Sequence, residues 1–378
     1  MRLKSMNVKF GLALSLALVA SACQRSNEAP ITGKRGDPPV AMQAVWQPGK
    51  RYLYRVESTT ASEVPRKNTG KIIRADTTIG QDLAFTVTNV APDGSRLLQM
   101  EVLAVQMETG RDDGVTLSYD SANKVMEVED SAMINRLKKL VGLKLKFHVS
   151  PENKVTRVDG TKDLSDRMSG GTVRGVAASA MSRCFNQQFY RDIVEMGMLP
   201  KDPVKVGDTW KVSRVGSGGL KGGSVAMELT YTFRGWQRRE GTNCARLDFA
   251  GTFKPNAPPP KGNQTNSPSF VRRIVDSAVP PNAEEGEITG QSWFDRELQL
   301  AVETRYQQSI TTKSTTVRRA RTKVDTNQAV LVESESLTNA PAAPPPSTNA
   351  PARTVTTSTT SSEQYTSIKL LDVEPLEK

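Results

Sequence analysis

Few residues of this sequence could do chemistry that needs a nucleophile or a soft metal ligand. The 378 residues include one histidine, His148, and three cysteines, Cys23, Cys184 and Cys244. A single histidine excludes a His-rich metal site and a set of His-based catalytic centres. The sequence has no Gly-x-Ser-x-Gly, Cys-x-x-Cys, His-Glu-x-x-His or phosphate-loop spacing. We therefore predict no catalytic site, no metal site and no cofactor.

His148 lies in an alternating segment that is typical of a strand. Lys144 and Lys146 lie four and two residues before it, so the three side chains share one face. Two ammonium groups oppose both protonation of the imidazole and a bound cation. We expect a surface histidine without a chemical role.

Cys23 follows a segment with the order of an export signal. Three basic residues precede an apolar run over residues 10–22: Arg2, Lys4 and Lys9. As a helix this run reaches roughly 20 Å, which is short of the ~30 Å hydrocarbon core. The segment therefore predicts a cleaved signal peptide over residues 1–22.

The residues directly before Cys23 are small, with the sequence Val-Ala-Ser-Ala over 19–22. A cysteine in this context resembles the lipobox of bacterial lipoprotein precursors, although Ala20 stands where leucine is commonest. The resemblance covers residues 1–24 and implies that Cys23 takes a diacylglycerol and becomes the first mature residue. Gln24 then implies sorting to the outer membrane. An ordinary secreted leader cut near Ala22 is the alternative, and the rest of the chain resembles no characterised family.

Lipidation of Cys23 would leave Cys184 and Cys244 in an oxidising compartment. An even number of remaining cysteines favours a disulfide. It would add roughly 4 kcal/mol to the stability of the fold by closing a loop of about 60 residues. The hydrophobic pattern opposes it, because Cys184 lies on an apolar helical stripe and Cys244 shares a polar strand face with Arg246 and Asp248. A bridge and two independent thiols both stay open.

The charge balance is basic. Loss of the leader removes three of the 51 basic residues, which leaves 48 against 40 acidic residues. Basic surfaces often bind nucleic acid, but an envelope protein meets anionic headgroups and cell-wall polymers. The densest cluster, over residues 318–323, has no interleaved aromatic residues that could stack bases. We expect the membrane, through the lipid anchor, and an envelope protein, lipid or cell-wall polymer as partners, and no nucleic acid.

Short β-branched segments with alternating hydrophobicity fill the sequence from Trp46 to about Leu337. Turn residues separate them, for example Pro92-Asp93-Gly94, and favour antiparallel hairpins. Two stretches have helical period instead, one from Met133 to Val141 and one from Ala177 to Ile193. The pattern predicts a mainly-β (α+β) fold of curved antiparallel sheets with two packed helices.

The body, residues 45–337, contains a faint internal similarity. The segment around Trp46 is similar to the segment around Trp210, since each places a glycine and a charged residue before a new strand. This suggests two similar halves, 45–160 and 200–337, joined by the helical segment. Common hairpin sequences explain the similarity equally well.

The regions outside the body predict flexible chain. Residues 23–44 have almost no apolar run and predict a tether after the lipidated cysteine. Residues 338–364 are almost entirely Ala, Pro, Ser, Thr and Asn, which predicts a disordered linker, and Pro255 to Ser269 predicts an exposed loop. Residues 365–378 form a C-terminal tail, with a short docking segment as the alternative.

Composition limits the classes of function. Negative mean hydropathy and 6% aromatic residues exclude a polytopic membrane protein. The leading prediction is a membrane-anchored envelope lipoprotein that acts as a non-catalytic binding or structural module. A carrier of apolar ligands is the first alternative, which a continuous dry pocket would distinguish. A carbohydrate-active enzyme is the second, and it requires two buried carboxylates about 5–9.5 Å apart in a cleft.

Overall fold

The computed structural model describes residues 28–65, 72–112, 114–123, 132–169, 176–218, 223–255, 282–319 and 353–376. Cys23 and the predicted signal peptide lie outside the described residues. So do residues 256–269 of the predicted loop and the first part of the predicted linker, up to residue 352.

The described strands form one antiparallel sheet. They are β1 (Lys50–Pro65), β2 (Ile72–Val90), β3 (Arg96–Arg111), β4 (Gly114–Asp120), β5 (Lys144–Val149), β6 (Val155–Asp159), β7 (Thr209–Gly218), β8 (Gly223–Arg239), β9 (Thr242–Pro255), β10 (Asn282–Asp295), β11 (Leu300–Arg319) and β12 (Arg353–Pro375). Their order across the sheet is β6-β5-β3-β2-β1-β12-β11-β10-β9-β8-β7, and β4 also pairs with β3. The prediction of a mainly-β fold is confirmed, with one large open sheet in place of several sheets.

The C-terminal strand lies in the middle of this sheet. β12 pairs with β1 on one side and with β11 on the other, both antiparallel. The predicted tail, residues 365–378, and the end of the predicted linker, from residue 353 to 364, therefore belong to a central strand as far as Pro375. The prediction of a disordered segment and a loose tail is wrong here. Hydrophobic periodicity did not predict this strand because its inward positions are polar. Ser362, Gln364 and Thr366 occupy them, and all three are buried.

Four helices are present in the described residues: α1 (Ala132–Leu140), α2 (Thr161–Met168), α3 (Val176–Cys184) and α4 (Gln187–Glu195). Two were predicted. The second predicted helix is split into α3 and α4 because the side chain of Asn186 caps the new helix, accepting a hydrogen bond from the backbone N–H of Phe189 at 2.9 Å. α2 is short and buries only Leu164, so its apolar period is too weak to detect.

The helices cover one face of the sheet, which we call the inner face. The largest core cluster combines the inward residues of β1, β2, β3 and β5 with the buried sides of all four helices. Trp46 is fully buried at its centre, with its ring centroid 5.1 Å from that of Tyr52 and 5.3 Å from that of Phe85. Three smaller clusters lie toward β7–β11. The apolar interior is therefore densest on the side of β1–β6.

The predicted tether is wrong for residues 28–44, which pack against the body. Thr32 forms a β-bridge with Trp236, and Val40 forms one with Val204. Met42 is 4% exposed and belongs to a core cluster. Its apolar contacts come from separate residues such as Met42 and not from an apolar run, so the sequence pattern did not predict this packing.

Strands before and after the helical segment lie on opposite sides of β12. β1–β6 form one side of the sheet and β7–β11 form the other. Because one hydrogen-bonded sheet continues through both, the two halves are not separate bodies. Duplication of one half from the other stays a prediction.

Candidate functional site

A cavity of about 120 Å³ lies between α4 and the β7–β12 side of the sheet. Most of its walls are apolar or aromatic, and they include Phe189, Ile193, Met227, Tyr231, Phe249 and Ile288. Protein interiors are normally packed with few voids of this size. An apolar cavity of ~150 Å³ takes up benzene in another protein, so this space suffices for part of a small apolar molecule.

α4 forms the roof of the cavity, and its ends are defined by local signals. The Asn186 cap starts the helix, and Met196 ends it in the left-handed conformation, at φ 45°, with its N–H donating to the carbonyl of Asp192 at 3.2 Å. Between these ends, the side chains of Phe189, Asp192 and Ile193 line the cavity. Their spacing of three and four residues places them on one face of the helix.

Aromatic rings and one close glycine form the floor. Tyr231 stacks on Trp210 with centroids 5.9 Å apart and contacts Phe249 at 5.0 Å. A Cβ atom at Gly290 would lie 2.5 Å from Cζ of Phe249 and 2.4 Å from the carbonyl oxygen of Arg305. Any side chain at this position would therefore displace the Phe249 ring that forms part of the cavity wall.

Two charged side chains line this apolar space. Arg214 comes from the edge strand β7 and Asp192 from α4, and Nη1 of Arg214 lies 3.8 Å from Oδ1 of Asp192. Asp192 also accepts a hydrogen bond from Nε2 of Gln188 at 3.0 Å. Nε of Arg214 is buried and has no partner in the described part of the chain. The arginine is thus under-paired at the boundary between the cavity and the sheet edge.

Burial changes the ionisation of the polar groups around the cavity. It raises the pKa of the Tyr306 phenol to about 12 and also raises the pKa of Tyr231, so both hydroxyls stay protonated at neutral pH. Desolvation raises the pKa of the Asp192 carboxyl, and the nearby charge of Arg214 opposes that shift. An additional negative charge without a partner is therefore unfavourable in the cavity. The guanidinium of Arg214 is the group with which such a charge could pair.

An adjoining cavity of about 100 Å³ is more polar. It shares Phe189, Asp192, Met227, Tyr306 and Gln308 with the first cavity. Gln364 of β12 lines it and is 5% exposed. Its Nε2 donates to Oγ of Ser58 at 2.8 Å, whereas its Oε1 is buried without a partner among the described residues. The two cavities are neighbours, and the first is the more apolar of the two.

The opposite, outer face of the sheet carries a wide open groove. Its lining includes Thr230, Arg234, Asp248, Arg305 and Tyr365. Nε of Arg234 donates to Asp248 at 2.8 Å, so the charges there are paired. With a volume of about 630 Å³, this groove is larger and more open than the cavity beneath α4, and a larger share of its lining is polar.

Each of these spaces has a single carboxylate in its lining, Asp192 on the inner face and Asp248 on the outer face. None of these three spaces therefore holds the pair of carboxylates that the carbohydrate-active alternative requires. Within the same residues, no group of three or more His, Cys, Asp or Glu side chains is arranged to hold a metal ion.

The structure places Cys184 and Cys244 apart, as free buried thiols. Cys184 ends α3 above the inner face, where its carbonyl accepts from Nε2 of Gln81 at 3.2 Å. Cys244 lies on β9 five residues before Phe249, and strand alternation therefore directs it to the outer face. The sheet separates the two sulfurs, which corresponds to the alternative of two independent thiols and not to the disulfide. Burial raises the pKa of the Cys184 thiol to about 11 and also raises that of Cys244.

His148 lies on β5 with its side chain 34% exposed. Its Nε2 is 2.8 Å from Oδ2 of Asp159 on the neighbouring strand, and Arg157 contacts the same ring nitrogen. The expected lysine neighbours do share its face, but its direct partners are a carboxylate and an arginine that the sequence pattern did not reveal, both at 2.8 Å. The contact with His148 lowers the pKa of Asp159.

Sequence reasoning missed the two charged residues of the cavity. Arg214 follows Trp210 and Val212 at alternate positions of β7, and all three face inward. Asp192 interrupts the apolar face of α4 between Phe189 and Ile193. A charged residue at a position where the period demands an apolar one was the available signal.

Comparisons with known proteins give a family match without a function. Residues 93–266 match the model of DUF6263, a family of unknown function. This segment begins in the turn before β3 and extends beyond β9, so it includes all four helices and Arg214. No curated protein matches.

Two solved structures are similar to the chain. A lipovitellin chain, from a structure of lipid–protein interactions in lipovitellin, matches 88% of this chain at 10% identity and a TM-score of 0.42. The match spans 26% of the lipovitellin chain, about a quarter of its length. The COG4313 outer membrane channel from Pseudomonas putida F1 matches 89% of this chain and 100% of its own, at 5% identity and a TM-score of 0.20. Neither likeness is close enough to transfer a function.

None of the described helices is long and apolar enough to span a membrane.

Proposed function

We propose that the chain is a lipid-anchored envelope protein that binds a small apolar or amphiphilic molecule in the cavity beneath α4. The anchor is Cys23, and the binding body begins at Glu28. The role is binding and not catalysis, and the ligand is drawn from the lipids or other amphiphiles of the envelope.

The cavity beneath α4 is the observation that carries this proposal. A purely structural module is expected to have a filled core, whereas ligand sites are concave, largely apolar and hold a few polar groups that orient the ligand. The β1–β6 side of the sheet has the filled core, with Trp46, Leu83 and Phe85 fully buried. The β7–β12 side has the space, with Arg214 and Asp192 as its charged groups.

The docked N-terminal segment would hold the body close to the bilayer. Glu28 contacts Arg239 at 3.2 Å and Arg246 at 3.5 Å on the outer face of the sheet. The five-residue step from Cys23 to Glu28 spans at most about 18 Å. A lipid at Cys23 would therefore keep the outer face near the headgroups and leave the inner face with its cavity on the far side of the sheet.

Binding of an apolar fluorescent probe tests the cavity. We expect saturable enhancement of N-phenyl-1-naphthylamine fluorescence by the mature chain from Gln24, which retains every described residue. Met227→Trp should fill the space, since Met227 lines both cavities and is partly buried. The matched control is Glu228→Trp, which adds the same ring at the exposed neighbouring position of β8.

The proposal predicts that Met227→Trp weakens probe binding at least tenfold while Glu228→Trp leaves it unchanged. Probe binding that is equally strong in both variants would place the site elsewhere. Absence of saturable binding in the native chain would favour the structural module.

Metabolic labelling with an alkynyl fatty acid tests the anchor separately. We expect the label on the native chain in the outer membrane fraction, and loss of both label and membrane association in Cys23→Ser. A labelled Cys23→Ser chain, or an unlabelled native chain, would contradict anchoring at this residue. Cys184→Ser is the control, because a buried thiol should not affect labelling.

A further inference from the structure

Arg214 has an unusual environment for a guanidinium group. Its Nε is buried and has no hydrogen-bond partner among the described residues. Its ion pair with Asp192 is long at 3.8 Å. The side chain is 26% exposed, so a molecule that enters from the edge of the sheet at β7 can reach it. A charged group in apolar surroundings is costly unless it is paired.

The carboxylate of Asp192 is an incomplete partner for this arginine. It is shared with Gln188, whose amide donates to the same Oδ1 that Arg214 approaches. Among the other groups that influence Arg214, Tyr231 and Tyr306 are neutral because burial raises the pKa of both phenols, and the carboxylate of Glu195 is paired with Arg191 at 3.1 Å. The planar guanidinium therefore has unused donors in the geometry that suits a carboxylate or phosphate oxygen pair.

Gln364 provides a second unsatisfied polar group in the adjoining cavity. Its amide contacts two hydroxyl groups, Oγ of Ser58 and Oγ1 of Thr366, and each hydroxyl can either donate or accept. The amide can turn and present its NH₂ group to the cavity if both hydroxyls then donate to its oxygen, at the expense of the hydrogen bond between Oγ of Ser58 and Oγ1 of Thr366 at 3.2 Å. Both unsatisfied groups would then offer donors, which matches an oxyanion.

We propose that the ligand of this cavity is a single-chain amphiphile with an oxyanion head, bound by the guanidinium of Arg214, with the part of its alkyl chain nearest the head along Met227, Phe249 and Ile288. This inference rests on the proposed function and specifies its ligand class. Asp192 competes with the head for Arg214, so it weakens binding of an anion. The site is open at the edge strand, where the head would enter last.

Calorimetric titration with four ten-carbon amphiphiles tests the proposal: decanoate, decyl phosphate and decyltrimethylammonium below their micelle concentrations, and 1-decanol below its solubility limit. We expect both anions to bind the mature chain from Gln24 roughly tenfold more tightly than the alcohol, because hydrogen bonds to charged groups are the stronger ones. The cation should bind more weakly than the alcohol. Comparison of decanoate with decyl phosphate distinguishes a carboxylate from a phosphate head.

Three variants test whether Arg214 is the origin of the preference for anions over the alcohol. Arg214→Met should bind decanoate and decanol equally, with decanol binding retained. Asp192→Asn should bind decanoate several-fold more tightly than the native chain, and because this change is a gain it cannot result from misfolding. Arg234→Met, on the outer face, is the matched control and should keep the native preference.

A preference for decanoate that persists in Arg214→Met would overturn the proposal, as would equal binding of decanoate and decanol by the native chain. In the second case the cavity still binds apolar chains and only the ligand class is wrong. Absence of binding by all four compounds would refute the proposed function together with this inference.

Discussion

Arginine lies beside aromatic rings on both faces of the sheet, but in different states of pairing. On the outer face, the guanidinium of Arg239 lies 3.8 Å from the centroid of the Trp293 ring and contacts the carboxylates of Glu28 and Glu303 at 3.2 and 3.5 Å. On the inner face, Arg214 lies in an aromatic cavity with one carboxylate at 3.8 Å. The same side chain is thus well matched in charge at one site and poorly matched at the other.

This difference separates a structural site from a binding site. At the outer site the chain itself supplies the anions, since Glu28 brings the N-terminal segment onto three arginines: Arg239, Arg246 and Arg305. An unpaired Nε does not distinguish the two sites, because Arg239 has one as well. The number of carboxylates beside each arginine does distinguish them. At the inner site we infer that a ligand supplies the missing carboxylate or other anion.

The largest expected effect comes from removing β12, because that strand joins the two sides of the sheet on whose faces both sites lie. Deletion of residues 353–378 would strip β1 and β11 of their shared neighbour. We expect a chain without cooperative unfolding, as judged by circular dichroism during heating. A deletion variant with native-like cooperativity would show that this segment is a dispensable tail.

Trp293→Ala should be the most destabilising single change at the outer site. The ring is fully buried, its Nε1 donates to Oε1 of Gln237 at 2.6 Å, and Arg239 covers it. We expect a loss of about 3–5 kcal/mol in the free energy of unfolding, measured with urea. Tyr365→Ala, on the same face but 47% exposed, should cost less than about 1 kcal/mol. Similar losses for both would refute a structural role for the covered ring.

Glu28→Gln should have a smaller effect, about 1–2 kcal/mol, because it leaves partly buried arginines with fewer acceptors. The control is Asp76→Asn, which breaks the exposed ion pair with Arg74 and should change stability by less than about 0.5 kcal/mol. Hydrogen exchange of residues 28–44 should rise in Glu28→Gln. Unchanged exchange would show that Glu28 does not hold this segment.

Replacement of both charges at the inner site should have almost no effect on stability. The double variant Arg214→Met, Asp192→Asn removes a long ion pair, and exchanging such a pair for uncharged groups is often neutral or stabilising. We expect a free energy of unfolding within about 1 kcal/mol of the native value. A loss as large as that of Trp293→Ala would make the inner pair structural and remove the contrast between the two faces.

Reduction should have the smallest effect. Since Cys184 and Cys244 are free, a reducing agent should shift the midpoint of thermal unfolding by less than about 1 °C. A disulfide across their loop would contribute roughly 4 kcal/mol, so a shift of many degrees would contradict the separation of the two thiols by the sheet.

The class of fold was predictable from sequence because most strands have the period of a half-buried sheet. Segments such as the one over Ala245, Leu247 and Phe249 alternate clearly, and all three residues are buried. β12 does not show this alternation of apolar and polar residues, for a physical reason. Its inward positions pair with Ser58 and its neighbours in a buried polar layer, where Oγ of Ser58 lies 3.2 Å from Oγ1 of Thr366. Hydrogen bonds between hydroxyl groups stabilise this layer, and hydrophobic periodicity does not detect them.

Sequence reasoning did not predict the packing of the N-terminal segment or the cavity, because both depend on contacts between residues that are far apart in the sequence. Glu28 contacts Arg239 across 211 residues, and no local pattern around either residue records that pairing. Arg214 and Asp192 belong to different elements that meet only when α4 packs over β7. Their inward positions could have been recognised as anomalies, but the space between them depends on how the helix packs.

A crystal structure of the mature chain grown with decanoate would test the central claim most directly. The account predicts an extended chain of density between α4 and the sheet, along Phe249 and Ile288, that ends in a carboxylate within hydrogen-bond distance of Arg214. Decanoate bound only in the outer groove near Arg234, or an inner cavity closed by collapse of α4 onto the sheet, would contradict it.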